Sequence, residues 1–205
     1  MRRAGWEGSG GWWLTTLFVL LAMSPATGQA QLPVSVWVRP LLALPLGDLR
    51  GQEEGLGART SFGLDAGGAV ALGSLSVYGE YQEVRFGCGE CAEAGLTDEV
   101  LDRGWGAGVV VPVLGEQFGI TPWARLGVIA HHLRIRSVDE AAYSGRSLGW
   151  STGVGARVSP LRWLRVEPSV MLRSYDATFG FAIDVPDRDL SVTFLSFGLA
   201  VAIQP

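Results

Sequence analysis

The sequence lacks lysine entirely. All 16 basic residues are arginine, 20 residues are acidic, and the formal net charge is −4. A chain with this balance has no broad basic surface for nucleic acid, so we expect no nucleic-acid partner. Charged residues make up only 18% of the chain, against roughly 25% in soluble domains. The chain also lacks an apolar run of about 20 residues, the length of a transmembrane helix.

What the chain has instead is glycine, with 29 residues, and apolar residues, which form 48% of the sequence. Its first thirty residues are predicted to be a secretory signal peptide. Arg2 and Arg3 precede an apolar stretch over 12–23, which is too short to span a bilayer. The small residues Gly28 and Ala30 then occupy the −3 and −1 positions of a cleavage site after Ala30. An N-terminal anchor helix fits this short stretch less well. We therefore predict a signal peptide over 1–30 and one mature domain over 31–205.

Alternation with a period of two residues recurs along the mature region and predicts about eight β-strands and no helix. Ordinary strands average about 5–6 residues, whereas a tilted strand that crosses a bilayer needs about 9–11, and the predicted strands are at least this long. We place them near 33–46, 60–72, 75–87, 103–114, 118–135, 147–159, 163–176 and 190–203.

The two faces of the predicted strands differ in size and polarity. In the fourth strand, Trp105 and Val109 lie on one face, and Gly104, Gly106 and Gly108 lie on the other. A soluble lipocalin-like barrel is the alternative, but it requires large apolar residues on its inner face. A narrow barrel in lipid has large apolar residues outside and small or polar residues inside. We therefore predict an all-β fold: a closed, antiparallel, up-and-down transmembrane β-barrel of about eight strands.

The predicted connections alternate between long and short. Outer-membrane barrels have long extracellular loops and short periplasmic turns, so both termini should be periplasmic. The long connections carry many acidic residues, including Asp48, Asp102 and Asp189. The long segments are 47–59, 87–102, 136–146 and 177–189, and the short ones lie near 73–74, 115–117 and 160–162.

Seven charged residues fall on the predicted inward face. Charges inside a narrow barrel must be paired, because an isolated buried charge is very costly. We expect an internal salt-bridge network that closes the lumen; the alternative is a polar conduit, or a gate that switches partners. These residues are Arg39, Asp65, Glu80, Arg125, Arg157, Glu167 and Arg173.

Aromatic residues at outward positions near strand ends are typical of the two girdles of a membrane barrel. We assign three to the extracellular rim and two to the periplasmic rim. The extracellular set is Phe62, Trp105 and Trp150, and the periplasmic set is Phe118 and Trp163.

Cys88 and Cys91 form a C-x-x-C motif in a predicted loop. In an oxidising compartment, a local disulfide is the favoured state. Metal binding with nearby acidic residues is the alternative, but no second motif or histidine pair supports it. We predict no metal site and no cofactor.

His131 and His132 occupy adjacent positions and therefore face opposite sides of a strand. One of them, with Ser137, Ser144 or Ser147, could form a lipid-modifying hydrolase. The pattern G-x-S-x-G occurs at 145–149 and 149–153, but both occurrences overlap the predicted strand over 147–159 and no helix follows, as a nucleophile elbow requires. P-loop and H-E-x-x-H motifs are absent. We predict no catalytic residues.

Several short motifs resemble those of bacterial outer-membrane β-barrel domain proteins, the small eight-stranded barrels. They are Pro45-Leu46-Gly47-Asp48, Thr121-Pro122-Trp123, Gly153-Val154-Gly155 and the last strand over 192–203. The resemblance implies an outer-membrane location, contact with membrane lipid and recognition by the barrel-assembly machinery. It implies little about activity, since such barrels serve as anchors, adhesins, narrow pores and a few lipid enzymes.

The function we predict is that of a non-enzymatic outer-membrane protein with a structural or surface-interaction role through its acidic loops. The ligand of those loops is not predicted. The first alternative is a narrow channel or a conduit for small hydrophobic solutes, and the second is a lipid-modifying barrel enzyme.

Overall fold

A computed structural model describes residues 34–50, 57–88, 96–115, 117–137, 141–161, 163–179 and 188–203. The predicted signal peptide over 1–30 lies outside these ranges and stays a prediction. Within the described residues, no helix has the length and hydropathy that crossing a bilayer requires.

Ten strands and one turn of 3-10 helix make up the described chain, and eight of the strands are long. The short helix is Gly47–Leu49, and the two short strands are β2 (Ala58–Arg59) and β7 (Ala141–Tyr143). The long strands are β1 (Val34–Leu46), β3 (Ser61–Leu72), β4 (Leu75–Cys88), β5 (Leu96–Pro112), β6 (Ile120–Ser137), β8 (Ser147–Leu161), β9 (Leu164–Phe179) and β10 (Arg188–Ile203).

Each long strand pairs antiparallel with its neighbour in the chain, and the sheet closes on itself. The first and last strands pair over most of their length, from Val36 with Ile203 to Leu46 with Thr193. The pairing of β4 with β5 completes the ring. Closure leaves no long free edge, so every long strand finds hydrogen-bond partners on both sides. The predicted closed antiparallel barrel is confirmed.

The two ends of the barrel are distinguished by their connections. We call the end with the Gly73–Ser74 turn the turn end, and the opposite end the far end. The turn consists of two residues, and Gly73 has a φ of 66°, a left-handed conformation that glycine adopts without strain. Val34 and Ile203 also lie at the turn end.

The outward face carries large apolar residues around the barrel, as the alternation predicts. Leu126 is 60% exposed, Val154 is 60% exposed and Leu199 is 49% exposed. This arrangement contradicts the lipocalin-like alternative, which would bury such residues inside.

The strands extend further toward the far end than their patterns predict. Strand β5 begins at Leu96 rather than near 103, and β6 ends at Ser137. The predicted loop over 87–102 is therefore wrong in its bounds, because its last seven residues belong to a strand. Seven residues separate β4 from β5 at the far end, and seven also separate β5 from β6 at the turn end. The predicted contrast in connection length is thus weaker than expected.

Candidate functional site

Five of the seven predicted inward charges meet near the middle of the barrel and form what we call the central charge cluster. Its members come from five strands, which the closed register brings to one level. Alternation along each strand directs them inward. They are at most 4% exposed. The members are Arg39, Asp65, Glu80, Arg125 and Arg173.

Glu80 is the acceptor shared by most of this cluster. Arg125 donates through Nη2 to Glu80 Oε1 at 2.5 Å and through Nη1 to Oε2 at 3.0 Å. Arg173 Nη2 lies 3.3 Å from Glu80 Oε1 and 3.5 Å from Asp65 Oδ2. Arg39 Nη1 donates to Asp65 Oδ2 at 3.1 Å. Three arginines thus share two carboxylates, so none of the buried charges is isolated.

Aromatic and hydroxyl groups complete the surroundings of the central charge cluster. The guanidinium carbon of Arg125 lies 3.9 Å from the ring centroid of Tyr78, within the range of a cation–π contact. Arg173 Nη1 donates to Ser196 Oγ at 2.8 Å. Planar guanidinium groups that are held on several sides are fixed in orientation as well as in charge.

The other two predicted inward charges lie closer to the turn end, in a separate group that we call the turn-end cluster. Glu167 Oε1 lies 3.1 Å from Arg157 Nε and 2.5 Å from Arg165 Nε. Arg165 was missed by our sequence analysis, although it stands two positions before Glu167 and therefore shares its face. Arg165 was left out because it lies close to the predicted start of the strand, where the inward face is hard to assign.

The far half of the interior differs from the predicted small and polar lining. Its inward residues are mostly apolar, and the apolar ones form one buried cluster that we call the far core. The prediction was wrong here because the small and polar lining of segments such as 104–108 was extended to the whole interior, although the predicted strands also carry inward residues such as Leu41, Val84 and Phe194. The far core consists of Leu41, Ala43, Leu49, Ala58, Val84, Phe86, Val100, Ile129, Leu133, Tyr175, Ala177, Leu190, Val192 and Phe194.

Asp102 was predicted in an acidic loop, but it lies inside the barrel and is fully buried. Its Oδ1 accepts a hydrogen bond from Tyr175 Oη at 2.8 Å and lies 3.0 Å from His131 Nδ1. The inward position of Asp102 follows from the extension of β5, which makes it a strand residue. The three side chains form a buried polar group between the central charge cluster and the far core.

The two adjacent histidines face opposite sides, as predicted. His132 lies on the outward side, where its Nε2 accepts a hydrogen bond from Arg103 Nε at 2.9 Å. Ser144 Oγ accepts from the backbone N–H of Leu133 at 2.8 Å and donates to the carbonyl of Gly145 at 3.0 Å. Ser144 is thus engaged with backbone, and His131 is engaged with Asp102. Another candidate serine, Ser147, stands directly opposite His131 in the register of β6 and β8.

Of the five predicted girdle residues, Phe62, Trp105 and Trp150 project outward from strands. Phe118 and Trp163 lie in the turns that precede β6 and β9. The exposed fractions of all five are large, as expected for side chains on the lipid-facing side. They are Phe62 (77%), Trp105 (52%), Trp150 (46%), Phe118 (102%) and Trp163 (55%). Trp105 contacts Tyr81 edge-on, with 5.1 Å between ring centroids.

The predicted disulfide falls largely outside the described residues, which exclude Cys91 and the side chain of Cys88. In the part of the chain that the structure describes, no group of three or more His, Cys, Asp or Glu residues is placed to hold a metal ion.

Comparison with known proteins identifies the fold. No family model matches the sequence, and no curated protein matches it. Among solved structures, Neisserial surface protein A is similar, with a TM-score of 0.65, 10% identity, and coverage of 84% of this chain and 97% of that chain. Ail, the attachment invasion locus protein of Yersinia pestis, has a TM-score of 0.53 and 12% identity, and the match covers 86% of this chain and 100% of that chain. The outer membrane protein OprG from Pseudomonas aeruginosa has a TM-score of 0.55 and 9% identity, and the match covers 87% of this chain and 98% of that chain.

These similarities cover nearly the whole of each solved barrel at very low sequence identity. They therefore concern the fold, and the chain has the architecture of the small outer-membrane barrels. The resemblance drawn from its short motifs is therefore confirmed for the fold.

Proposed function

We propose that the protein is a non-enzymatic, integral protein of the bacterial outer membrane whose barrel is closed to solute flow. Its signal peptide directs export, the barrel-assembly machinery inserts it, and its turn end faces the periplasm. The outward apolar band supports this proposal, because it requires lipid as its solvent.

The observation that carries the proposal is the filling of the interior along the barrel axis. On the inward side of β6, Trp123, Arg125, Ile129, His131 and Leu133 are at most 4% exposed, while Thr121 and Gly127 on the same side are partly exposed. The cavity lined by the turn-end cluster has a volume of about 20 Å³. One water needs about 10–15 Å³, so this space holds only one or two molecules. A filled interior favours a structural barrel over a diffusion pore.

Single-channel recording in planar lipid bilayers tests this closure. We expect the purified wild-type barrel to give no reproducible conductance steps. The control pair is Arg125→Ala, which removes an arginine of the central charge cluster, and Arg85→Ala, which removes an arginine that is 65% exposed in its side chain. Discrete wild-type steps that Arg125→Ala alters and Arg85→Ala does not would contradict the proposal and favour the narrow conduit.

Location is tested by cell fractionation and by gel mobility with and without heating. We expect the protein in the outer-membrane fraction, with a folded form that shifts on boiling. Depletion of the barrel-assembly machinery should reduce this heat-modifiable form. Recovery in the soluble periplasmic fraction would contradict the whole assignment.

The surface role is proposed from the acidic residues in the segments that connect strands at the far end, including Glu53, Glu54 and Glu93. The printed names of two similar barrels, a surface protein and an attachment invasion locus protein, agree with display at a cell surface. Protease treatment of intact cells should cleave within 89–95. Protection there, with cleavage at 113–119 instead, would reverse the proposed orientation.

The absence of enzymatic activity is tested by comparing envelope lipids in cells with and without the protein. We expect identical lipid profiles. A new lipid product that disappears when His131 and His132 are replaced by alanine would favour the lipid-modifying enzyme.

A further inference from the structure

Four buried N–H groups without a hydrogen-bond acceptor belong to residues that line the same small cavity near the turn end. They are Nε1 of Trp37, Nε of Arg39, Nε1 of Trp123 and Nε of Arg125. Arg39, Trp123 and Arg125 are 3%, 2% and 4% exposed. A buried polar group without a partner costs free energy, and a native structure with several in one place points to a water or an ion between them.

The electrostatic balance around this cavity favours an anion over a neutral molecule. Arg157 and Arg165 also line it, together with the single carboxylate of Glu167. With Arg165 set aside, and with Arg173 and the carboxylates of the central charge cluster included, four arginines face three carboxylates among the described residues, an excess of one positive charge. An uncompensated positive charge in a poorly hydrated interior stabilises a bound anion.

The nearby carboxylates are already engaged with arginines away from these N–H groups. Both oxygens of Glu80 accept from Arg125, and Glu167 Oε1 is shared by two arginines. Asp65 has one oxygen, Oδ1, without a donor, but Asp65 does not line the cavity. The four N–H groups therefore have no protein acceptor among the described residues.

The two indole rings are held in place by glycines. A Cβ at Gly67 would lie 2.7 Å from Trp37 Cζ2, and a Cβ at Gly155 would collide with Trp123 Cζ2. Contacts this close do not occur in real structures, so both rings occupy space that only glycine leaves free. Both indole rings thus pack closely against the barrel wall at these glycines.

We propose that this cavity binds one monovalent anion of halide size, which in the cell is chloride. The volume of about 20 Å³ leaves room for no more than one such ion. Phosphate and sulfate carry four oxygens around a central atom and exceed it. The bound anion supplies the missing acceptor to the indole and guanidinium N–H groups and offsets part of the arginine excess.

Crystals of the wild-type barrel grown in sodium bromide test the site directly. We expect an anomalous bromide peak within hydrogen-bond distance of Trp123 Nε1. An adventitious ion would instead give peaks scattered over the surface and none in the cavity. An empty cavity, or one that holds only water at high bromide, would overturn the proposal.

Urea unfolding of the refolded barrel in detergent gives an independent measure. At constant ionic strength, replacing gluconate with chloride should stabilise the fold in a saturable way, because the anion binds the folded state. Stabilisation that does not saturate, or that is equal for chloride and sulfate, would indicate a general salt effect and contradict the proposal.

The variant Trp123→Phe keeps an aromatic ring and removes one N–H donor. Loss of one hydrogen bond to a charged acceptor should raise the half-saturating chloride concentration about tenfold or more. The matched control Trp163→Phe changes an outward ring that is 55% exposed and should leave that concentration unchanged. If Trp123→Phe does not fold, Trp37→Phe removes a second donor of the same site, and an unchanged chloride dependence in either variant would overturn the proposal.

Discussion

Between the turn end and the far end, the interior of the barrel changes from charged to mostly apolar, and on β4 and β6 the outward face changes in the opposite sense. On β4, the inward side passes from Glu80 to Val84 and Phe86, whereas the outward side passes from Val77 to Glu83 and Arg85. On β6, the outward side likewise passes from Leu126 and Val128 to His132 and Arg134.

The difference shows that the residue pattern of the barrel suits lipid in one half and water in the other. The turn half has apolar residues outside and charges inside, which suits a wall surrounded by lipid. The far half has an apolar core, and on β4 and β6 it has polar outward residues, which suit a wall in contact with water. Tyr81 and Trp105 lie at the level where the outward face changes, the position at which aromatic residues mark a membrane interface.

The largest expected effect comes from breaking the central charge cluster. Glu80→Gln leaves Arg39, Arg125 and Arg173 with one carboxylate, so we expect a loss of about 3–5 kcal/mol in the free energy of unfolding. The control Glu83→Gln breaks a half-exposed pair with Arg85 and should cost at most about 1 kcal/mol. Urea unfolding in lipid vesicles measures both. Equal losses would show that the interior charges are as well solvated as the surface pair.

The corresponding test of the far core is Phe194→Ala. Phe194 is fully buried and packs edge-on against Phe86, with 5.5 Å between ring centroids. We expect a cavity and a loss of about 3–4 kcal/mol. Phe197→Ala, on the outward side of the same strand and 42% exposed, should cost clearly less because lipid chains fill the vacated space. If the two substitutions cost the same, the far core is not a packed interior.

A smaller effect is expected at the boundary between the two interior regions. Tyr175→Phe removes the hydroxyl that donates to Asp102 and leaves Oδ1 with His131 as its remaining partner. We expect a loss of about 1.5–3 kcal/mol, the range for a hydrogen bond to a charged group. Tyr81→Phe, on the outward face, should change stability by no more than about 0.5 kcal/mol. A neutral Tyr175→Phe would mean that water replaces the lost hydroxyl.

The smallest expected effect concerns the small residues of the turn half. Gly155→Ala places a methyl group against Trp123 and the carbonyl of Pro168, so overpacking should cost about 1–3 kcal/mol. Gly79→Ala meets nothing within 4 Å and should be neutral or slightly stabilising, because alanine narrows the unfolded ensemble. Melting temperatures of the two variants, measured by circular dichroism, make the comparison. A tolerated Gly155→Ala would show that the Trp123 ring can move.

Much of the fold could be predicted from period-two alternation, because it identifies the strands and places their side chains on two faces. The same alternation placed Arg39, Glu80 and Arg125 on the inward side. It did not place Asp102, since the pattern around 96–102 was interpreted as an acidic loop. It also did not identify Trp37 and Trp123 as inward residues, because large aromatic rings were expected on the lipid side.

The sequence by itself determined the strand-rich architecture, the outward apolar band and the identity of most inward charges, since these depend on neighbouring positions along single strands. Only the tertiary structure decided which inward residues meet. Arg173 and Asp65 are 108 positions apart and become neighbours through barrel closure and register. The same holds for the far core and for the four N–H groups at the turn-end cavity. Each is assembled from several strands, and no local pattern records that assembly.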